Sequence, residues 1–232
     1  MKRKMIFLGA SLVLGLSPSL GHAASGAEIL QTQCVGCHAI AKPDATGVDR
    51  LLSRKGPDLY YAGVKFKREW LTPWLQNPTV IRQGGAAYFH AVKAGAPDSP
   101  DVIDTAAVPP HPKFGAAEAA AVTDALLSLG ASDGLVQKGA FKNDPPNSMA
   151  SLLFNKLRGC ASCHSAKPGS GGVSGPELYT AASRLQPDYI VEYIRNPQKF
   201  DPNVWMPRLE LTDADIQKLT GYLTTLKQGS EK

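Results

Sequence analysis

Apolar positions recur at helical spacing in two long segments. Val122, Leu126 and Leu129 mark one over 116–129, and Ile216, Leu219, Leu223 and Leu226 mark a fuller stripe over 212–226. Thr212 followed three residues later by Asp215 reads as a capping pair at the start of the second. The pattern predicts shorter helices over 27–34, 69–76, 149–157 and 188–195, with Pro187 in the first turn of the last. The stretch 86–93 is compatible with one more. No segment alternates long enough to predict a strand. Glycine and proline punctuate the rest. Gly134, Gly139, Pro145 and Pro146 make 131–148 a linker, 169–175 is a glycine-rich loop, and Pro100, Pro109, Pro110 and Pro112 make 97–112 irregular. The expected fold class is all-α.

The same landmarks occur twice and in the same order. Cys34-Val35-Gly36-Cys37-His38 returns as Cys160-Ala161-Ser162-Cys163-His164, and Gly56-Pro57-Asp58-Leu59-Tyr60 returns as Gly175-Pro176-Glu177-Leu178-Tyr179. Trp74-Leu75-Gln76-Asn77-Pro78 matches Tyr193-Ile194-Arg195-Asn196-Pro197, and His111-Pro112-Lys113-Phe114 lines up with Met206-Pro207-Arg208-Leu209. Four landmarks in a kept order indicate a tandem duplication with an insertion, 79–110, in the first copy. The expected layout is a first domain over 24–130, a linker over 131–149 and a second domain over 150–232.

Residues 1–23 read as a secretory signal. Lys2, Arg3 and Lys4 precede an uncharged apolar run from Met5 to Leu16, and Gly21-His22-Ala23 supplies small residues for cleavage before Ala24. A retained anchor is the alternative, although the run is short of the ~20 residues a span needs. No later stretch is long and apolar enough to cross a bilayer, so the mature chain is expected in the periplasm without a membrane span. The leader also changes the charge picture. The whole chain carries a net +5, but without the three leader cations 22 positive residues face 20 negative ones. That balance argues against a nucleic-acid partner.

All four cysteines lie in the two Cys-x-x-Cys-His runs. This spacing is the attachment signature of c-type haem. Two thiols add to the two porphyrin vinyl groups, and the next residue's imidazole reaches the iron. A disulfide scaffold, a thioredoxin-like motif or a zinc ribbon leaves the histidine after each pair unexplained. The expected cofactors are therefore two covalently bound haems, attached through Cys34, Cys37, Cys160 and Cys163, with His38 and His164 as iron ligands.

The opposite iron ligands follow by subtraction. Past the leader the chain has two methionines, Met149 and Met206, and two further histidines, His90 and His111. Met206, just before the closing helix and followed by proline, is the candidate for the second haem. Met149, at the linker end, is assigned to packing. The first half has no methionine between Ala24 and Leu129. His111, also followed by proline, fills the matching slot there. His90 is its rival, and an open iron or a lysine ligand completes the alternatives. The Gly-Pro pairs at 56–57 and 175–176 are placed to offer a carbonyl to the second ring nitrogen of each proximal histidine. Tyr60, Trp70, Trp74, Tyr179, Tyr193 and Trp205 are candidate haem-cleft linings or plain core.

With these motifs the chain resembles a tandem class I cytochrome c, in layout similar to the dihaem cytochrome c4 type. The likeness spans 27–130 and 150–228. It implies small helical domains, each around one haem, that pass single electrons between a redox protein donor and acceptor, a membrane respiratory complex being one candidate partner. His111 in place of a ligand methionine departs from that family. Two imidazoles favour ferric iron more than a methionine–histidine pair does, so the first haem is expected at lower potential than the second. Six-coordinate irons suit a carrier and not an enzyme. The alternatives are a dihaem peroxidase-like enzyme and a haem subunit of a larger complex docked through 79–110.

Overall fold

The computed structural model describes residues 24–44, 46–81, 86–99, 101–130, 133–143, 145 and 148–227. The leader 1–23 lies outside them. In the first half, α1 (Gly26–Ile29) is capped by the Ser25 hydroxyl and runs directly into a π-helical turn, Leu30–Cys34. Then come α2 (Val48–Ser53), α3 (Ala62–Lys65), α4 (Arg68–Gln76) and α5 (Ala86–Ala91). A two-residue hairpin, β1 (Val92–Lys93) with β2 (Val102–Ile103), precedes α6 (Ala116–Ser128). In the second half, α7 (Ser148–Leu152) again runs into a π-helical turn, Leu153–Leu157. It is followed by α8 (Ala181–Arg184), α9 (Pro187–Arg195) and α10 (Asp213–Thr225).

The long helices lie where the periodicity predicts them, to within a residue or two. Pro187 opens α9, and the Thr212 hydroxyl accepts the Asp215 amide at 3.1 Å. The departures from an all-helical reading sit in the insertion. The β1–β2 pair and a 3-10 turn at Thr105–Ala107 occupy part of the stretch expected to be irregular. The prolines flank these elements and do not interrupt them.

Each half buries its first helix against its last. Gly26 makes the α1–α6 crossing possible, because a Cβ there would stand 1.9 Å from the Ala121 carbonyl oxygen. Around the crossing Ile29, Leu30, Leu71, Leu75, Phe114, Val122 and Leu126 form one buried cluster. A second cluster joins Leu153 and Phe154 to Ile190, Ile194, Ile216, Leu219 and Leu223. It also takes in Tyr60 and Tyr61 from the first half, and Leu135 and Ala140 from the segment read as a linker. That segment is tied down: Asp188 accepts the Gly139 and Phe141 amides, each at 2.8 Å, and Gln217 bonds both Lys142 and Ala140.

The two halves meet about a local dyad. Phe66 and Leu185, 119 positions apart, form an antiparallel bridge. The Lys67 amide donates to the Arg184 carbonyl and the Gln186 amide to the Lys65 carbonyl, both at 2.9 Å. The side chains repeat the exchange, Lys67 Nζ to the Ala182 carbonyl at 2.7 Å and Gln186 Nε2 to the Gly63 carbonyl at 2.8 Å. Every partner has its counterpart at the same 119-residue offset. Around this exchange Tyr61 stacks on Tyr189, the Tyr60 hydroxyl donates to the Phe200 carbonyl at 2.6 Å, and Arg54 spans Asp58 and Asp201.

Candidate functional site

Both Cys-x-x-Cys-His runs close the same turn. The His38 amide donates to the Cys34 carbonyl and the His164 amide to the Cys160 carbonyl, each at 3.0 Å. None of the four cysteines is paired in a disulfide. Cys34 is buried and Cys160 half-buried, while Cys37 and Cys163 are exposed. Burial pushes the Cys34 and Cys160 thiols above the ordinary value.

The next residues orient the imidazoles. His38 Nδ1 lies 2.7 Å from the Pro57 carbonyl oxygen and His164 Nδ1 lies 2.8 Å from that of Pro176. A carbonyl only accepts, so each Nδ1 carries the proton and each Nε2 keeps its lone pair, the form that ligates a metal. Glycine before each proline is a steric requirement. A Cβ at Gly56 would come within 2.5 Å of His38 Cε1, and one at Gly175 within 2.6 Å of His164 Cε1. Backbone amides then anchor the loops: Leu59 to the Ala39 carbonyl and Leu178 to the Ser165 carbonyl, each at 2.8 Å.

His111 faces His38. Their ring centres stand 6.3 Å apart and their planes are tilted by 52°. Two imidazoles sharing one metal through Nε2, with bonds of about 2 Å each, hold their ring centres roughly 6 Å apart. The spacing therefore fits an iron between them. His111 Nδ1 donates to the Pro112 carbonyl at 2.9 Å, so its Nε2 is also free. Burial lowers the pKa of both histidines. The Pro57 bond opposes the shift at His38, while His111 and Lys65 add to it. Both rings are thus held neutral, as ligands require.

His90 is placed differently. Its Nε2 is engaged by the Leu52 carbonyl at 3.1 Å, and it lines a separate cavity of about 340 Å³ with Leu52, Arg54, Tyr88 and Ile103. In the second half, Met206 is half-buried and borders the same core cluster as Cys160, and its carbonyl accepts from Gln198 at 2.9 Å. Met149 is exposed on α7.

Trp74, one of the candidate cleft linings read from the sequence, stands beside His111, whereas Lys65 escaped sequence reasoning. Trp74 packs on His111 with ring centres 4.6 Å apart. Lys65 Nζ sits 5.0–5.7 Å from the ring centres of Phe66, Tyr61 and Tyr189. Burial, with Arg184 and Arg54 nearby, lowers its pKa to about 8. The signal for Lys65 was its register, 119 positions before Arg184.

Residues 150–223 match the family model described as cytochrome C oxidase, cbb3-type, subunit III. This segment supports a c-type cytochrome. The cytochrome c family implies covalently bound haem c, electron transport and redox partners. The matched residues include Cys160, Cys163, His164, Pro176 and Met206. No curated protein and no solved structure matches the chain. Among the described residues no helix is long and apolar enough to cross a membrane.

Proposed function

We propose that this chain is a periplasmic dihaem c-type cytochrome, exported by residues 1–23, that passes single electrons between redox protein partners. One haem would be held by Cys34 and Cys37 with His38 and His111 as iron ligands. The other would be held by Cys160 and Cys163 with His164 and Met206. The observation that carries the reading is the opposed pair His38 and His111, 6.3 Å apart, each with Nδ1 donated to a proline carbonyl. The matched segment supports the second centre independently, from its family likeness.

Bound haem supplies the one-electron couple of its iron. The chain's residues set how readily that couple accepts an electron. Bonds from Pro57 and Pro176 raise the basicity of the proximal imidazoles and fix their tautomer. Two imidazoles would hold the first centre at lower potential than a histidine–methionine pair would hold the second, which would make transfer from first to second downhill. Lys65 makes no ion pair among the described residues and lies instead against the rings of Phe66, Tyr61 and Tyr189. With His111 and Met206 added to the proximal histidines, each iron would have no position left for a substrate, which favours carriage over catalysis.

The test is a redox titration of the purified protein followed by visible and low-temperature paramagnetic resonance spectra. The expected result is two low-spin centres of different potential, one with the weak long-wavelength band of sulfur-ligated ferric haem. A single centre, or a protein of apopeptide mass, overturns the reading.

A further inference from the structure

The imidazole of His111 is gripped from two directions. Its Nδ1 is bonded to the carbonyl of the very next residue, Pro112, which limits how far the ring tilts out of line. Trp74 packs against it, with ring centres 4.6 Å apart and planes tilted by 59°. Trp74 is itself immobilised. Its indole N–H donates to the Thr79 carbonyl at 3.1 Å, so the indole offers His111 only its ring and no hydrogen bond. Trp74 also stacks on Trp70, 5.3 Å away with planes 27° apart, and Trp70 stacks on Phe66 at 5.5 Å. Trp70 and Trp74, four residues apart on α4, share one face of that helix, and Phe66 lies in the extended stretch just before it. Phe66 is the bridge residue opposite Leu185. The column thus starts at the fixed junction between the halves and ends on the imidazole of His111.

In the second half the position matching Trp74 is built differently. The position 119 residues after Trp74 is Tyr193, which packs against Tyr189 and Phe200 instead. The device belongs to the centre whose distal ligand is a planar ring. A thioether has no plane to fix, whereas for a pair of imidazoles the angle between planes is a variable that the protein must set. Here it is 52°.

We infer that Trp74 is a positioning residue that sets the plane of His111 against that of His38 and, through it, the electronic character of the first centre. The inference rests on the His38–His111 ligation proposed above. The mutual angle of two imidazole planes governs how their π orbitals overlap the iron d orbitals, and this overlap fixes the anisotropy of the low-spin ferric signal. Loss of the Trp74 ring frees His111 to rotate about its remaining bond to Pro112.

The experiment uses the full-length holoprotein with Trp74→Leu, Trp74→Phe, Trp70→Leu and His111→Ala, read by low-temperature paramagnetic resonance of the oxidised protein and by redox titration. Trp74→Leu is expected to move the largest g value of one low-spin signal and the midpoint of the same centre, leaving the other centre unchanged. Trp74→Phe, which keeps a ring on His111, is expected to stay near the parent. Trp70→Leu removes the ring that braces Trp74 without itself touching His111 and is expected to move the signal by less than Trp74→Leu does. The inference is overturned if Trp74→Leu leaves both signals unmoved, or if Trp70→Leu moves the first signal as far as Trp74→Leu does. Should Trp74→Leu not accumulate, Trp74→Met is read in the same way. His111→Ala separates the two levels of the argument. Conversion of the first centre to high spin upholds the ligand pair whatever Trp74 does, whereas an unchanged low-spin signal removes the ligation and the role of Trp74 together.

Discussion

Replacing Gly56 with alanine places a methyl group in the one direction the loop has no room for. The new Cβ would lie 2.5 Å from His38 Cε1 and 2.8 Å from Nδ1. Ordinary carbon–carbon contact is about 3.5 Å or more, so loop and ring must part by about 1 Å. That is twice the ~0.5 Å tolerance within which a site keeps its geometry. It also acts on the 2.7 Å bond between His38 Nδ1 and the Pro57 carbonyl, one residue from the substitution. Stretched by the same ~1 Å, the bond passes beyond hydrogen-bond range. Overpacking of this kind costs about 1–3 kcal/mol, which for a chain of this size lowers the melting temperature by roughly 2–12 °C. The imidazole also loses the acceptor that makes it a stronger donor to iron, so the midpoint of the first centre should rise. Thermal unfolding of the holoprotein and a redox titration measure the two effects. Gly175→Ala, with 2.6 Å to His164 Cε1, should do the same to the second centre alone. A Gly56→Ala protein with parental melting temperature and parental potentials would refute the reasoning, as would a shift at the second centre.

The ligand assignment makes His111→Met raise one midpoint and leave the other in place, read by the same titration. Arg54→Leu strips Asp201 of its ion pair and leaves Asp58 only Arg50, so unfolding should come about 1–3 kcal/mol sooner in denaturant titrations. Thr220 presents a buried hydroxyl with no hydrogen-bond partner among the described residues, whereas Thr123 at the matching place on α6 bonds Thr72 and the Ala119 carbonyl. Thr220→Val should therefore be neutral or stabilising by about 1 kcal/mol, while Thr123→Val should destabilise, both measured by thermal melts.

The helices that carry a stripe and a cap were legible from residue order, as α10 with Thr212 and α9 with Pro187 illustrate. The two Cys-x-x-Cys-His runs and their Gly-Pro partners were equally plain, since the turn and the imidazole–carbonyl bond of each recur at matching places. The short elements were not. The helices α2, α3 and α8 have four to six residues each, too few for periodicity to register. Contacts distant in sequence hold them, such as the Gly63 amide on the Leu129 carbonyl. Subtraction named His111 as a candidate, but its distance from His38 depends on how 79–110 returns the chain to α4, where the Phe114 amide meets the Leu75 carbonyl. The aromatic residues divided in a way composition does not reveal. Trp74 stands beside His111 with Trp70 stacked behind it, Tyr60 and Tyr193 pack at the junction around Phe200, and Trp205 remains exposed.

The reciprocal bonding at Phe66 and Leu185 bears on ancestry. An edge that fits its own copy across a dyad is what a self-pairing single-unit forebear would have carried, and joining two such units end to end preserves the fit while freeing each side to drift. The drift is visible: lysine opposes glutamine where 67 answers 186, and lysine opposes arginine where 65 answers 184. Cut the chain between its halves, and each fragment would be left with an unsatisfied border whose best complement is another molecule like itself.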